Sequence, residues 1–406
     1  MRGTLILLAL AAASAIAACT GSAPPEDLDS ESSSSNPDNP DPTPEGEVPS
    51  NPAQPEDPDE QPIPEEAFDI LEERVVDYNE ALRTASLKLM RQLPNLDDIK
   101  AVEAGGQAEY EARVDEMLES PEFAARMVSW WMDIMRQGGN AGDDRNAAPA
   151  FAAQLIVEGR PFMEVLTADS NNCATFDAAA GTFAAATCNG GAPVQAGVLT
   201  NPGVMRQFYG QLAFRRVRWV QEIFACKAFP AEATDTAQTV GEDGKYFGPW
   251  PFDSISNTPT DFLYPVGNAC ANCHQTLNHM APLFGKFNAD GMWMANGYGV
   301  NTVVGAEEVA SELSHWLPEG EQTAWRFGKP AADLPALGAL MAEDPIVHSC
   351  VVSRAWNFVM SKEDIVSDGA NVAPEVLEPF VLQFQTGYNL KETLRAMFKS
   401  DDYIKR

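Results

Sequence analysis

Cys270-Ala271-Asn272-Cys273-His274 places two thiols three residues apart and an imidazole directly after the second. This is the set that covalent haem attachment requires. Each thiol adds to one haem vinyl, and one helical turn brings His274 beneath the iron as its proximal ligand. Two other chemistries fit the same residues: a CxxC pair can close as a disulfide or act as a redox dithiol, or it can supply half of a zinc site. Zinc needs two further N or S ligands, and His279 is the other candidate nearby. Haem c, one per chain, is the favoured reading.

A low-spin electron carrier also needs a sixth ligand, commonly Met, whose soft thioether raises the reduction potential. Met280, Met292, Met294, Met341 and Met360 are candidates, followed by His279, His315 and His348. Met280 follows His274 too closely to reach the opposite haem face without a sharp reversal. Met292 and Met294 lie in a Gly-flanked loop that can fold back, and one of them is the expected distal ligand. His315, in Ser314-His315-Trp316 on an expected amphipathic helix, reads as a satisfied residue. Arg215, Arg216 and Arg218 suit either haem propionates or salt bridges to the chain's own acids. Tyr246, Phe247, Trp250 and Phe252, just before the motif, are candidates for a cofactor wall, whereas Trp130 and Trp131 read as core. The chain has no HExxH, no G-x-S-x-G and no P-loop lysine motif, so no catalytic residues are assigned.

The elements that position these residues begin after an export signal and a tether. Arg2 precedes an apolar stretch, Leu5 to Ala18, that is too short to span a membrane and reads as a signal peptide over residues 1–18. Ile16-Ala17-Ala18-Cys19 resembles the bacterial lipobox, which makes Cys19 the lipidation site and the membrane anchor. Thr20 stands where an inner-membrane retention Asp would be, which favours the outer membrane. The tether, residues 19–66, holds twelve Pro, fourteen Asp or Glu and no Lys or Arg, a composition that cannot build a core. Setting aside those acids and Arg2 leaves 45 acids against 26 bases on the body, a net charge of −19. Such a charge disfavours nucleic acid and anionic lipid; it would steer basic partners or serve solubility alone, and solubility is the favoured explanation. Export favours paired thiols. Of the seven Cys, four remain after Cys19 and the motif: Cys173, Cys188, Cys226 and Cys350. They allow three connectivities, of which Cys173–Cys188 and Cys226–Cys350 are preferred.

The body reads as mainly α, with long ordered loops and almost no period-two alternation. Helices are expected over Ala67 to Leu93, Ala108 to Leu118, Phe123 to Arg136 behind the N-cap Ser120, and from Gly159 through Leu166. Further helices are expected over Arg206 to Phe224, Glu307 to Trp316, Leu334 to Met341, Pro345 to Met360, Pro374 to Phe384, and from the N-cap Asn389 through Lys399. Cys173 to Cys188 reads as a loop. The expected domains are an N-terminal helical one, 67–227, and a haem-motif region with C-terminal helices, 228–406.

With these landmarks placed, the chain resembles a bacterial family of CxxCH-containing helical proteins of unknown function that accompany planctomycete-type cytochrome c domains. Tyr110 through Phe123 resembles its N-terminal helical part. Arg160-Pro161-Phe162-Met163-Glu164-Val165-Leu166 resembles its central segment. Gly197-Val198-Leu199-Thr200 and Arg218 through Cys226 resemble the part before the motif. The motif itself with Phe287-Asn288-Ala289-Asp290-Gly291, and His348-Ser349-Cys350-Val351-Val352, carry the rest. The family usually has a basic residue where this chain has Met294. The resemblance fixes no substrate.

Three functions fit these readings: an envelope-anchored monohaem electron-transfer lipoprotein serving a redox partner protein, which is preferred; a peroxidase- or oxygenase-like haem enzyme with an open sixth position; and a haem-free binding or structural lipoprotein with a CxxC disulfide.

Overall fold

Many of the helix starts follow one local rule: a short polar side chain accepts an orphan N–H of the first turn. In the computed structural model, which describes residues 74–137, 144–227, 265–304, 307–317, 320–326, 329–364 and 372–405, Asp77 caps α1 (Tyr78–Met90) and Asn95 caps α2 (Leu96–Leu118). Ser120 caps α3 (Pro121–Ile134) through the Phe123 N–H at 3.1 Å, with Pro121 in the first turn, as expected. Next come α4 (Ala147–Val157), the single turn α5 (Glu164–Thr167), α6 (Pro202–Gln207) and α7 (Phe214–Phe224). The motif lies in α8 (Pro265–Phe284). The chain finishes with α9 (Leu334–Glu343), α10 (Pro345–Val359), α11 (Pro374–Gln385), α12 (Leu390–Phe398) and α13 (Asp401–Ile404). Asp333, Asp344 and Asn389 cap α9, α10 and α12.

Strands are few and short. Three antiparallel pairs occur among the described residues: β1 (Cys173–Asp177) with β2 (Thr182–Ala186), β3 (Asn301–Val304) with β4 (Glu307–Ala310), and β5 (Ala324–Arg326) with β6 (Lys329–Pro330). The class is mainly α, as the sequence implies.

Two helices lie inside the body. α4 is apolar nearly all round and buried from Ala148 to Ile156, and α10 is buried from Cys350 to Val359. Trp130 and Trp131 are core residues, Trp131 against Phe162 and Trp130 against Phe358 on α10. The described residues from Val75 to Lys405 belong to one compact unit. Tyr110 on α2 donates its hydroxyl to Phe398 O at 2.6 Å, and Val76 bridges to Lys405. The domain boundary expected at 227/228 falls where the described residues pause, and contacts such as Trp316 Nε1 to Leu212 O, 2.9 Å, join residues from both sides of it.

Several expected elements differ. Glu307 to Trp316 is strand β4 followed by a 3-10 turn at Leu313–His315, because Glu307–Ala310 pairs with Asn301–Val304. Cys173 to Cys188 is a β-hairpin rather than a loop, with Phe176 and Phe183 directly opposed at 4.9 Å. The helix expected over Arg206 to Phe224 breaks into α6 and α7 at Leu212 and Ala213, both in the left-handed region at φ 52° and 55°. Of the first helix, Ala67 to Leu93, the described part runs over Tyr78–Met90. α2 starts well before Ala108 and is interrupted at Gly106 (φ 61°).

The four leftover cysteines pair as expected, Cys173 with Cys188 and Cys226 with Cys350. The second bond ties the end of α7 to α10. Beside it, Arg354 of α10 donates to the Glu222 carbonyl at 2.6 Å and pairs with Asp364. Burial lowers the Arg354 pKa and Asp364 opposes that shift. The buried Glu222 carboxylate is held by Arg218 at 2.7 Å and Arg136 at 2.6 Å.

Candidate functional site

The backbone of all five motif residues is helical within α8. Positions 270, 273 and 274 are spaced i, i+3 and i+4, which places them on one face of that helix. The side chains of Cys270 and Cys273 lie outside the described part; that of His274 is half-buried.

One turn on, the fully buried Asn278 meets the imidazole, with its Oδ1 2.9 Å from His274 Nδ1. Asn278 Nδ2 donates at 2.9 Å to the backbone carbonyl of Trp316, which fixes the orientation of the amide. Trp316 is itself fully buried; its Nε1–H goes to Leu212 O and its ring lies 4.7 Å from Tyr298. Gly285 makes room for that ring, since a Cβ there would come within 3.1 Å of Trp316 Cη2. The next residues after Leu212 return the chain to the imidazole, where the Phe214 ring stands edge-on to His274 at 5.2 Å. His274 is thus held between a side chain of its own helix and the first residue of α7.

The far end of α8 is fixed by Arg216. Its guanidinium donates to five acceptor contacts on backbone carbonyls: Met205 O twice, at 2.9 and 2.6 Å, Phe284 O at 2.8 Å, Phe287 O at 2.7 Å and Asn288 O at 2.9 Å. A cation at a helix C-terminus also complements the macrodipole. Burial pushes the Arg216 pKa down to about 9, which leaves it charged at neutral pH. The Arg cluster therefore divides: Arg218 pairs with Glu222, as the salt-bridge reading expects, while Arg215 donates to Tyr209 O and Arg216 likewise serves carbonyls rather than carboxylates.

The remaining ligand candidates are dispersed. Met280 is fully buried on α8 and its Sδ accepts from Gln221 Nε2 at 3.3 Å. Met341 is core, and Met360 is packed against the core. Met292 and Met294 are 43% and 38% exposed on the loop after α8. That loop folds back at Phe287–Trp293 and is fastened by Trp293 N–H to Gly190 O, 2.6 Å, and Met294 N–H to Lys286 O, 2.9 Å. Its anchorage lies beyond Phe284, whose Cα is about 15 Å along the helix from that of His274.

The other histidines are engaged. His279 Nε2 lies 2.7 Å from Glu321 Oε2. His348 is buried, with Nε2 to Ala342 O at 2.8 Å and Nδ1 to Gln385 Nε2 at 3.1 Å. His315 sits in the 3-10 turn rather than on a helix, and its Nδ1 accepts the Glu312 N–H.

Cys19, the tether and the aromatic segment with Tyr246, Phe247, Trp250 and Phe252 lie outside the described residues. Among the described residues no helix is long and apolar enough to cross a membrane. Asn278, Trp316 and Arg216 were not singled out for these roles by sequence reading. The readable signal for Asn278 is its i+4 spacing from His274; the contacts of Arg216 and Trp316 join distant segments and leave no local signal.

A family model described as PSCyt2, a protein of unknown function (DUF1549), matches residues 66–156. No curated protein and no solved structure matches the chain. The matched segment takes in α1 to α3 and nearly all of α4, so the resemblance read from the N-terminal helices has support there, and the motif helix lies beyond it.

Proposed function

We propose that the chain is a c-type cytochrome-like lipoprotein of the cell envelope, anchored through lipidated Cys19, with the outer membrane as its location. In this reading one haem c is attached at Cys270 and Cys273 with His274 as proximal ligand, and the chain exchanges electrons with a redox partner protein. It is a CxxCH member of the helical proteins that accompany planctomycete-type cytochrome c domains.

The observation that carries this reading is the setting of His274. It shares a helix face with positions 270 and 273, and its Nδ1 is engaged by Asn278, the arrangement in which Nε2 serves as the ligating nitrogen. The donor set suits the group: two thiols, an imidazole, and a ring edge from Phe214 on a half-buried histidine. Bound haem would supply one-electron chemistry. The residues of the chain orient the imidazole and, through Arg216, hold the helix that carries it. The two disulfides are compatible with an extracytoplasmic location.

The sixth ligand is proposed from Met292 or Met294, which are the exposed residues among the methionines considered. Their loop, however, is fastened at the far end of α8, which favours a second reading: an open sixth position and peroxidase- or oxygenase-like chemistry. Expression of the full chain with a working haem-maturation system tests both. Covalent haem on a denaturing gel, lost when Cys270 and Cys273 become Ala, is the expected result. A low-spin spectrum favours the carrier and a high-spin spectrum the enzyme. Wild-type chain without covalent haem overturns the proposal and leaves a CxxC-disulfide lipoprotein.

A further inference from the structure

The hydrogen bonds around Asn278 determine more than the placement of His274. A backbone carbonyl can only accept, so the Asn278 atom 2.9 Å from Trp316 O must be the amide nitrogen. The carboxamide is planar, so its oxygen then faces His274 Nδ1 at 2.9 Å. An amide oxygen cannot donate, so the hydrogen between them belongs to Nδ1. A neutral imidazole protonated at Nδ1 carries its lone pair on Nε2. This is the less populated tautomer of a free neutral histidine, so the surroundings have to select it.

Reversing the amide would not release this constraint. It would set Oδ1 against the Trp316 carbonyl and abandon a hydrogen bond in a site where Asn278 is fully buried. Nor can the Trp316 carbonyl readily swing away: its indole is buried and tied to Leu212 O, and Gly285 is shaped to receive it. Leu212 and Ala213 both occupy the left-handed region, a costly conformation for side-chain-bearing residues, in the turn that offers Leu212 O and aims Phe214 at the imidazole. The contacts run His274, Asn278, Trp316, Leu212, Phe214 and back to His274.

We infer that Asn278 is a positioning residue that holds His274 as the Nδ1–H tautomer, with the Trp316 carbonyl as the fixed point that keeps the amide from turning. The inference rests on the haem reading only in its consequence, which is that Nε2 is prepared for iron before any haem arrives. The tautomer itself is a property of the folded chain.

The test uses the full chain labelled with 15N at its four histidines, made without haem attachment, with ring-nitrogen shifts assigned by loss of the His274 signals in His274→Gln. Wild type should show His274 predominantly Nδ1–H. Asn278→Leu should move it to predominantly Nε2–H. Asn278→Asp loses the amide donor to Trp316 just as Leu does, but keeps an oxygen facing Nδ1, and should retain Nδ1–H. A merely structural role for Asn278 would lower the melting temperature of both variants and shift neither tautomer. Wild type found as Nε2–H, or the Leu and Asp variants behaving alike, overturns the inference.

Should Asn278→Leu fail to fold, the haem-bearing Asp variant decides. A carboxylate on Nδ1–H makes the imidazole a stronger donor, so its reduction potential should fall below that of wild type; an unchanged or higher potential overturns the inference. Absence of covalent haem would sink the proposed function and leave the tautomer measurement standing.

Discussion

Arg216 Nη1 lies 2.8 Å from Phe284 O, so the last residue of the motif helix is held by a cation from the helix beside it. The same guanidinium collects Met205, Phe287 and Asn288 carbonyls, which brings three stretches of chain to one point. Arg suits such a site because its donors form a rigid planar fork; Lys has three donors on a flexible stem.

Arg216→Met should therefore leave buried carbonyls without donors and destabilise the fold by about 3 kcal/mol or more. Arg216→Lys should recover less than half of that loss, since one ammonium cannot span all four carbonyls. Urea unfolding midpoints measure both. A Lys variant as stable as wild type would show that charge, rather than the fork, is what the site uses.

Two glycines of the loop after α8 make a controlled pair. Gly291 (φ 76°) would place a Cβ 2.1 Å from Pro202 O, whereas Gly297 (φ 71°) has nothing within 4 Å. Both substitutions to Ala carry the left-handed penalty of about 1–2 kcal/mol, but only Gly291→Ala adds a backbone clash. It should cost at least twice as much as Gly297→Ala in the same unfolding assay, and should dislodge the segment bearing Met292 and Met294. Equal costs would mean that the loop yields freely.

The sequence made local decisions legible and distant ones not. Ser120, Asn389 and the Pro-initiated turns could be read because a cap and its N–H lie within three residues of each other. Export and the count of leftover thiols allow three cysteine connectivities, and the closeness of Cys173 and Cys188 along the chain selects the one found. Glu307 to Trp316 was misread because Glu, Ala and Leu favour helix locally, while pairing with Asn301–Val304 decides the outcome. The β1–β2 hairpin hid in Ala-rich strands of weak propensity, and its Phe176–Phe183 pair became meaningful only once the register placed the two opposite each other. At the site, the spacing of positions 270, 273 and 274 was legible, but the helix Pro265–Phe284 that carries them was not among the expected elements. The contacts of Trp316 and Arg216 were not legible, because their partners lie 104 and up to 72 residues away.

Membrane attachment, as proposed, rests on Cys19. In the proposed function the thiol of the lipobox-like segment supplies the anchor through its acyl chains. Cys19→Ala should release the protein from the membrane fraction or leave it unprocessed, as detergent fractionation would record. Attachment at the wild-type level would refute the lipid anchor.

The two disulfides close loops of very different length, and this predicts an order of stability losses. Cys173–Cys188 spans 15 residues and Cys226–Cys350 spans 124. In the chain-entropy model they restrict the unfolded chain by about 3 and about 5 kcal/mol, respectively. The packing argument points the same way: the short bond closes a hairpin already paired by its strands, whereas the long one joins α7 to the buried helix α10 next to Arg354 and Glu222. Replacing Cys226 and Cys350 together by Ala should thus lower the urea midpoint more than replacing Cys173 and Cys188. Non-reducing peptide mapping of each double variant should still recover the other bond intact. If the remaining cysteines re-pair instead, or if the short-loop variant is the less stable of the two, the long bond is not the clamp between α7 and α10 that its position implies.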